Sequence, residues 1–275
     1  MNKIDFHVHV TPPDISKNWQ KYALKEPYFE LLSKSPNNKF SSAEEVISAL
    51  DDAHFNKAVI FGFAFKDPGL CNYVNDYVIE KIKKFPDRLI GFISVSPNSN
   101  ECTAEIERCH DAGLKGIGEL FPEGQNFNID DKPKLQSLTE ICKERNLPVI
   151  LHINEPIGHL YAGKTKTDLR QIEQFIENNQ GLKIILAHFG GGLFIYESMP
   201  EVKEKCRNVY YDTAAAPFLY DSNIYNAAIA LGLSKKILFG SDFPLMQINK
   251  YMSDMEDIPE QVRDDILGGN AEKLL

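Results

Sequence analysis

Along the chain, short unbroken apolar runs alternate with longer segments whose apolar residues recur at helical spacing. The runs fall at about 4–10, 57–63, 88–95, 114–120, 148–153, 182–189, 208–213 and 236–241. Helical patterns follow them at about 41–54, 70–85, 101–112, 133–146, 167–179, 194–206, 221–232, 258–267 and 270–275. The first of these opens on Ser41-Ser42-Ala43-Glu44-Glu45, a serine and glutamate arrangement that caps a helix start. Strands covered on both faces read as continuous apolar runs, and eight of them each followed by a helix predict a parallel (β/α)8 TIM barrel in one domain, residues 1–275. An open doubly wound sheet is the competing arrangement. It lacks support because no GxGxxG follows the first run and polar residues gather at the carboxyl ends of several runs.

Residues 11–40 break the rhythm. After Thr11-Pro12-Pro13 come Trp19, Tyr22, Tyr28 and Phe29, then the polar break Ser35-Pro36-Asn37-Asn38. A connection of this length reads either as a lid over a binding site or as a surface excursion with a short helix.

The first run, Ile4-Asp5-Phe6-His7-Val8-His9-Val10, carries chemistry as well as pattern. Strict strand alternation puts Asp5, His7 and His9 on one face and Phe6, Val8 and Val10 on the other. Two imidazoles rising from one strand suit a zinc-type site if other strands supply a further nitrogen and a carboxylate; the plainer reading is a pair of hydrogen-bonded core histidines. The remaining strand ends offer Glu119, His152, His188, Asp212 and Asp242, which a closed barrel would bring to one mouth. His54 and His110 are expected at the surface, whereas the loop after the fifth strand holds Glu155, His159, Tyr161 and Lys164, read as substrate contacts or as parts of a surface loop.

Composition narrows the classes of function. Apolar residues make up 43% and charged residues 25% of the 275 residues, an ordinary globular balance, and no run approaches a membrane span. The net charge of −9 has no basic cluster within it, which weighs against nucleic acid and anionic membranes as partners. Five scattered cysteines without CxxC spacing suggest reduced thiols. With no apparent room for a signal peptide before the first strand, a cytoplasmic enzyme acting on a small molecule is expected, with a homodimer compatible.

The ordered set Asp5-x-His7-x-His9, Leu151-His152, Ala187-His188-Phe189-Gly190-Gly191-Gly192, Gly240-Ser241-Asp242-Phe243-Pro244 and the terminal Gly269-Asn270-Ala271-Glu272-Lys273-Leu274-Leu275 resembles the amidohydrolase superfamily, in its amidohydrolase-related branch that includes aminocarboxymuconate semialdehyde decarboxylase. The resemblance runs the length of the chain. It implies that His7, His9, His152 and Asp242 bind one Zn2+ or similar divalent ion, with Asp242 taking the proton of a bound water. His188 then either ligates a second ion or acts as acid and base on the substrate. Glu119 either bridges two ions, as in TatD-like relatives that share its Gly-Glu, or serves as a supporting or substrate-binding acid. Asp5 is read as an acceptor orienting the imidazoles and Asp212 as a similar support. The chain departs from TatD-like nucleases in lacking an HxR at strand five, and no lysine stands where other members carry a carboxylated bridge. The leading expectation is hydrolysis of an amide, ester or lactone. The alternatives are a non-oxidative decarboxylase or hydratase on the same residues, and a metal-binding regulatory barrel without turnover.

Overall fold

The computed structural model describes residues 2–36 and 39–275, so Asn37 and Asn38 of the polar break lie outside the described residues. Eight parallel strands alternate with helices: β1 (Ile4–His9), β2 (Lys57–Phe61), β3 (Leu89–Gly91), β4 (Ile117–Leu120), β5 (Val149–Leu151), β6 (Ile184–Leu186), β7 (Val209–Asp212) and β8 (Ile237–Leu238). Helices α1 (Pro13–Lys17), α2 (Trp19–Ala23), α3 (Pro27–Ser33) and α4 (Ala43–Asp52) follow β1, and α5 (Pro68–Lys84), α6 (Cys102–Asp111), α7 (Lys132–Glu144) and α8 (Leu169–Asn178) follow the next four strands. After β6 comes a 3-10 segment, His188–Ser198, then α9 (Pro200–Lys205); α10 (Ala216–Leu219) and α11 (Asn223–Ala230) follow β7. The chain closes through α12 (Glu260–Asp264), a π turn at Asp265–Gly269 and α13 (Asn270–Leu274).

The fold is the (β/α)8 barrel that the pattern predicts. Its ladders form two runs, β1-β2-β3 and β4-β5-β6-β7-β8. The two seams are spanned by isolated parallel bridges, Ile93 to Ile117 and Val8 to Phe243. Backbone bonds reinforce the second seam, from the N–H of Phe6 to Phe239 O (2.7 Å), of His9 to Phe243 O (2.8 Å) and of Asp242 to His7 O (2.9 Å). Inside the barrel Ile4, Phe6, Val59, Phe61, Phe92, Ile150, Ile185 and Leu238 pack together. The alternate residues, Val8, Ile60, Val149, Leu151, Ile184, Leu186 and Ile237 among them, face the helices.

Strict alternation fails in β1. Its register against β2 slips between Asp5 and Val8, the mark of a β-bulge. Phe6 therefore joins the interior cluster while Val8 and Val10 pack outward, so the predicted grouping of Phe6 with Val8 and Val10 does not hold. The same shift separates Asp5 from the two imidazoles. The ladder between β4 and β5 slips likewise between Ile117 and Leu120, at the position of Glu119.

Segment 11–40 forms three short helices rather than one, docked by aromatic side chains. Phe29 is buried against Phe63 and Phe65, with ring centroids at 5.2 and 5.0 Å. The carboxylate of buried Glu26 accepts from the N–H groups of Lys66 (3.1 Å) and Asp67 (2.8 Å) at the start of α5. Burial raises the Glu26 carboxyl above its ordinary range, against the pull of those two donors. The predicted helix at 194–206 is divided, because Met199 is extended and Pro200 starts a new helix; the left-handed Gly190-Gly191-Gly192 lies before it. All five cysteines are free and buried, and among the described residues no helix is long and apolar enough to cross a membrane.

Candidate metal centre at the barrel mouth

Six side chains converge where the strands end. They fall into two groups, His7 with His9 and Asp242, and Glu119 with His152 and His188, each with donor atoms within 4.8 Å of one another. In the first, His7 Nε2 lies 3.2 Å from His9 Nε2, and Asp242 Oδ1 lies 3.8 and 3.4 Å from the same two nitrogens. In the second, Glu119 Oε1 is 2.9 Å from His152 Nδ1 and 3.8 Å from His188 Nε2, and these nitrogens are 3.3 Å apart. Glu119 reaches both groups, since its other oxygen sits 4.0 Å from His7 Nε2 and 3.8 Å from His9 Nε2. Donors bound at about 2.0–2.2 Å around one ion stand about 3–4 Å from each other, which is the spacing found here.

The backbone is bent to aim these groups. His7 and Glu119 lie at the two bulges, and His188 and Asp242 both take left-handed backbone angles, with φ of 57°. Two glycines permit the close approach this requires. A Cβ on Gly240 would stand 2.7 Å from His7 Cβ, and one on Gly191 would stand 2.3 Å from the carbonyl oxygen of Asn154.

Three of the four imidazoles are oriented from behind. His7 Nδ1 donates to Asp212 Oδ2 (2.8 Å), His188 Nδ1 to the Ala214 carbonyl (2.8 Å) and His152 Nε2 to the Gly163 carbonyl (3.0 Å). His9 Nδ1 is buried and has no partner among the described residues. Asp212 also accepts from the backbone N–H of His188 through Oδ1 (3.0 Å), so it supports both groups. Asp5, expected to orient imidazoles, bonds elsewhere because of the bulge. Its carboxyl accepts from the Ser241 N–H (2.9 Å) and hydroxyl and from the His7 backbone N–H (3.3 Å). It thus fixes the strand ends beside Asp242 rather than a ring.

Electrostatics follow from packing carboxylates and imidazoles together out of water. Burial pulls the His7 imidazole down, but the Asp212 carboxylate, with Glu119 and Asp242 beyond it, pushes it up to about 10. His152 is raised likewise by Glu119 against burial. Burial raises Glu119 and Asp242, yet the imidazoles outweigh it, taking Glu119 down to about 2 and Asp242 well below the usual carboxylate range. Asp5 goes the other way, lifted by burial to about 7 despite its bonds to Ser241. Without an ion, the proton held by His7 offsets part of the charge of Asp212, Glu119 and Asp242. A divalent cation would replace it, so the donor set fits such an ion on charge as well as spacing.

In the fifth-strand loop, the residues expected as substrate contacts or as parts of a surface loop are largely engaged with one another. Lys164, Glu155 and Tyr161 bond one another, with Lys164 Nζ 3.3 Å from Glu155 Oε1 and the Tyr161 hydroxyl donating to Glu155 Oε2 (3.1 Å). Of the four predicted contacts His159 alone is exposed, beside the Tyr161 ring. Sequence reasoning passed over the Gly163 carbonyl and the aromatic contact of Phe121 with His152, whose ring centroids are 4.6 Å apart. Phe121 in turn packs on Tyr28 of α3 (5.0 Å), which links the 11–40 segment to the mouth.

The sequence model of the family described as Amidohydrolase matches residues 4–275. A 2-amino-3-carboxymuconate-6-semialdehyde decarboxylase of Dictyostelium discoideum is 24% identical over 254 residues, covering 79% of this chain and 70% of that protein. Among solved structures, 5-carboxyvanillate decarboxylase from Sphingomonas paucimobilis superposes with a TM-score of 0.80 at 15% identity, covering 99% of this chain and 98% of that one. The 5-carboxyvanillate decarboxylase of Novosphingobium aromaticivorans, solved with manganese and 4-hydroxy-3-methoxy-5-nitrobenzoic acid, gives 0.77 at 16% identity, covering 99% and 95%. Both structural likenesses are likenesses of fold.

Proposed function

The chain belongs to the amidohydrolase family, and from that premise we propose that it is a metal-dependent, non-oxidative decarboxylase of a small unsaturated or aromatic carboxylate. The observation that carries this reading is the convergence of four imidazoles and two carboxylates at the mouth of a barrel shared with decarboxylases. The hydrolytic reading, first from sequence, takes second place because the named relatives cleave carbon–carbon rather than acyl bonds. It keeps one specific support, the placement of Glu119 between two donor groups, which suits a pair of ions flanking a hydrolytic water.

His7, His9, Glu119, His152, His188 and Asp242 would hold one or two divalent ions, manganese or zinc. Such an ion supplies positive charge that binds the substrate's oxygens and steadies the electrons left when CO2 departs. The chain does the rest. Phe121 and its neighbours exclude water from one side, and Asp242 or His188 delivers a proton to the carbon that has lost its carboxylate. The C–C bond breaks, its electron pair stays on that carbon, and the proton fills the vacancy. Buried, reduced cysteines accord with a cytoplasmic setting.

The test is a panel of aromatic and muconate-type carboxylates, with amides and lactones alongside, given to manganese- or zinc-loaded protein. CO2 release is expected, and in D2O the product should carry one deuterium at the former carboxylate carbon. Turnover of an amide or lactone without CO2 would restore the hydrolase reading.

A further inference from the structure

The loop between β5 and α8 is closed on itself in a way that reaches the metal centre. At its base, buried Asn154 acts as a surrogate strand partner for Thr165: Oδ1 accepts from the Thr165 N–H and hydroxyl, each at 2.7 Å, and Nδ2 donates to the Thr165 carbonyl at 3.3 Å. Inside the loop, the Lys164 side chain is only 7% exposed. Its ammonium donates to Glu155 Oε1 (3.3 Å), to the carbonyl of His159 (3.2 Å) and to the carbonyl of Ile157. An ammonium has three N–H donors, and all three are used within the loop. Lys164 therefore has nothing left to offer a substrate.

What it does instead follows from its neighbour. Gly163, with φ of +98°, directs its carbonyl at His152 Nε2, 3.0 Å away. A carbonyl only accepts, so Nε2 carries a hydrogen there; Nδ1, which faces Glu119 (2.9 Å) and His188 (3.3 Å), is then the nitrogen that gives up its own hydrogen to meet an ion. We propose that Lys164 is a positioning residue for the metal centre: by drawing the loop's carbonyls inward it holds the Gly163 carbonyl on His152 and so fixes which ring nitrogen is offered to an ion. Asn154 secures the same arrangement from the loop's base. The inference rests on the proposed metal-dependent function and adds to it a loop that sets the affinity of one half of the site.

The experiment uses full-length protein and two variants, Lys164→Met, which keeps the stem and removes the ammonium, and Lys164→Arg, which restores the charge. Stripped protein is titrated with Zn2+ against a competing chelator, and the His152 ring nitrogens are followed by NMR of histidine labelled with nitrogen-15. In Lys164→Met the ion held with Glu119 and His188 should weaken by about 10–100-fold, as outer partners of metal ligands typically contribute. The signal of Nε2-protonated His152 should broaden or divide between tautomers, with Lys164→Arg recovering much of both. Wild-type affinity and an unchanged tautomer in Lys164→Met would overturn the proposal. Should that variant not fold, Asn154→Ala, which opens the loop's base without burying a lone carboxylate, carries the same expectation and the same refutation. If wild-type protein takes up no ion at His152, the metal reading fails, and the tautomer of the ion-free imidazole at alkaline pH still decides the role of Lys164.

Discussion

The two donor groups at the mouth are held by different kinds of structure. His7, His9 and Asp242 sit where β1 meets the end of β8, and a side-chain carboxylate, Asp212, orients His7 from within the barrel. Asp242 lies past β8, but its N–H bonds His7 O of β1 (2.9 Å). The other group is only partly so anchored. His152 and His188, also just past their strands, have both rings oriented by backbone carbonyls of connecting segments, Gly163 and Ala214, and Glu119 alone of the three lies in a strand, β4. One half rests on the barrel itself and the other on the conformation of its loops. Substitutions in the first should act through charge and proton transfer, whereas the second should respond to loop geometry.

The strongest way to sharpen this contrast is Asp242→Asn. It keeps an oxygen donor but not the proton carrier, so kcat should fall by about 10²–10⁴-fold. Elemental analysis should find much of the metal still bound. Near wild-type turnover would remove Asp242 from the proton path. His188→Asn tests whether the halves are separate sites: loss of about one of two equivalents of metal means two ions, while a single equivalent retained with activity lost makes His188 an acid or base.

Asp212→Asn should blur the contrast, because that carboxylate supports His7 directly and His188 through its backbone. Affinity for ion should drop about 10–100-fold in chelator competition, and in both groups if two ions are bound. An effect confined to one group would mean that the His188 backbone bond contributes little. The smallest effect expected is that of a single unit of pH. With His7 raised to about 10 in the ion-free protein, it is protonated at neutral pH, and an ion must displace that proton. Affinity should therefore rise with pH by about tenfold per unit for each proton released, up to the titration of His7. Calorimetry in buffers of different ionisation enthalpy counts the protons, and no release at neutral pH would contradict the charge on His7.

The donors of both halves are legible in the sequence. His7, His9, Glu119, His152, His188 and Asp242 can all be placed because apolar runs mark the strands and polar residues at their ends stand out against them. The bulge could not be read, since β1 alternates correctly on paper and only pairing with β2 reveals the extra residue. Asp5 was misplaced for that reason. Lys164 reads as a substrate contact or as part of a surface loop, because sequence shows a cation near the mouth but not whether its donors are already engaged. The Gly163 carbonyl has no signature at all, as every residue carries one. Pro200 carries a signal against a continuous helix at 194–206, because the residue before a proline is pushed out of the helical region.

The break of the ladder into three strands and five gives the first donor group a mechanical role. His7 and His9 belong to the smaller half-barrel and Asp242 follows the last strand of the larger, so an ion gripped by these three is a rivet through the seam between them. Gripping it adds to the closed state whatever free energy the binding releases, and none to a chain whose halves have parted. A cation bound there for the proposed chemistry would thereby also keep the hoop from springing open at the place where its own ligands are joined.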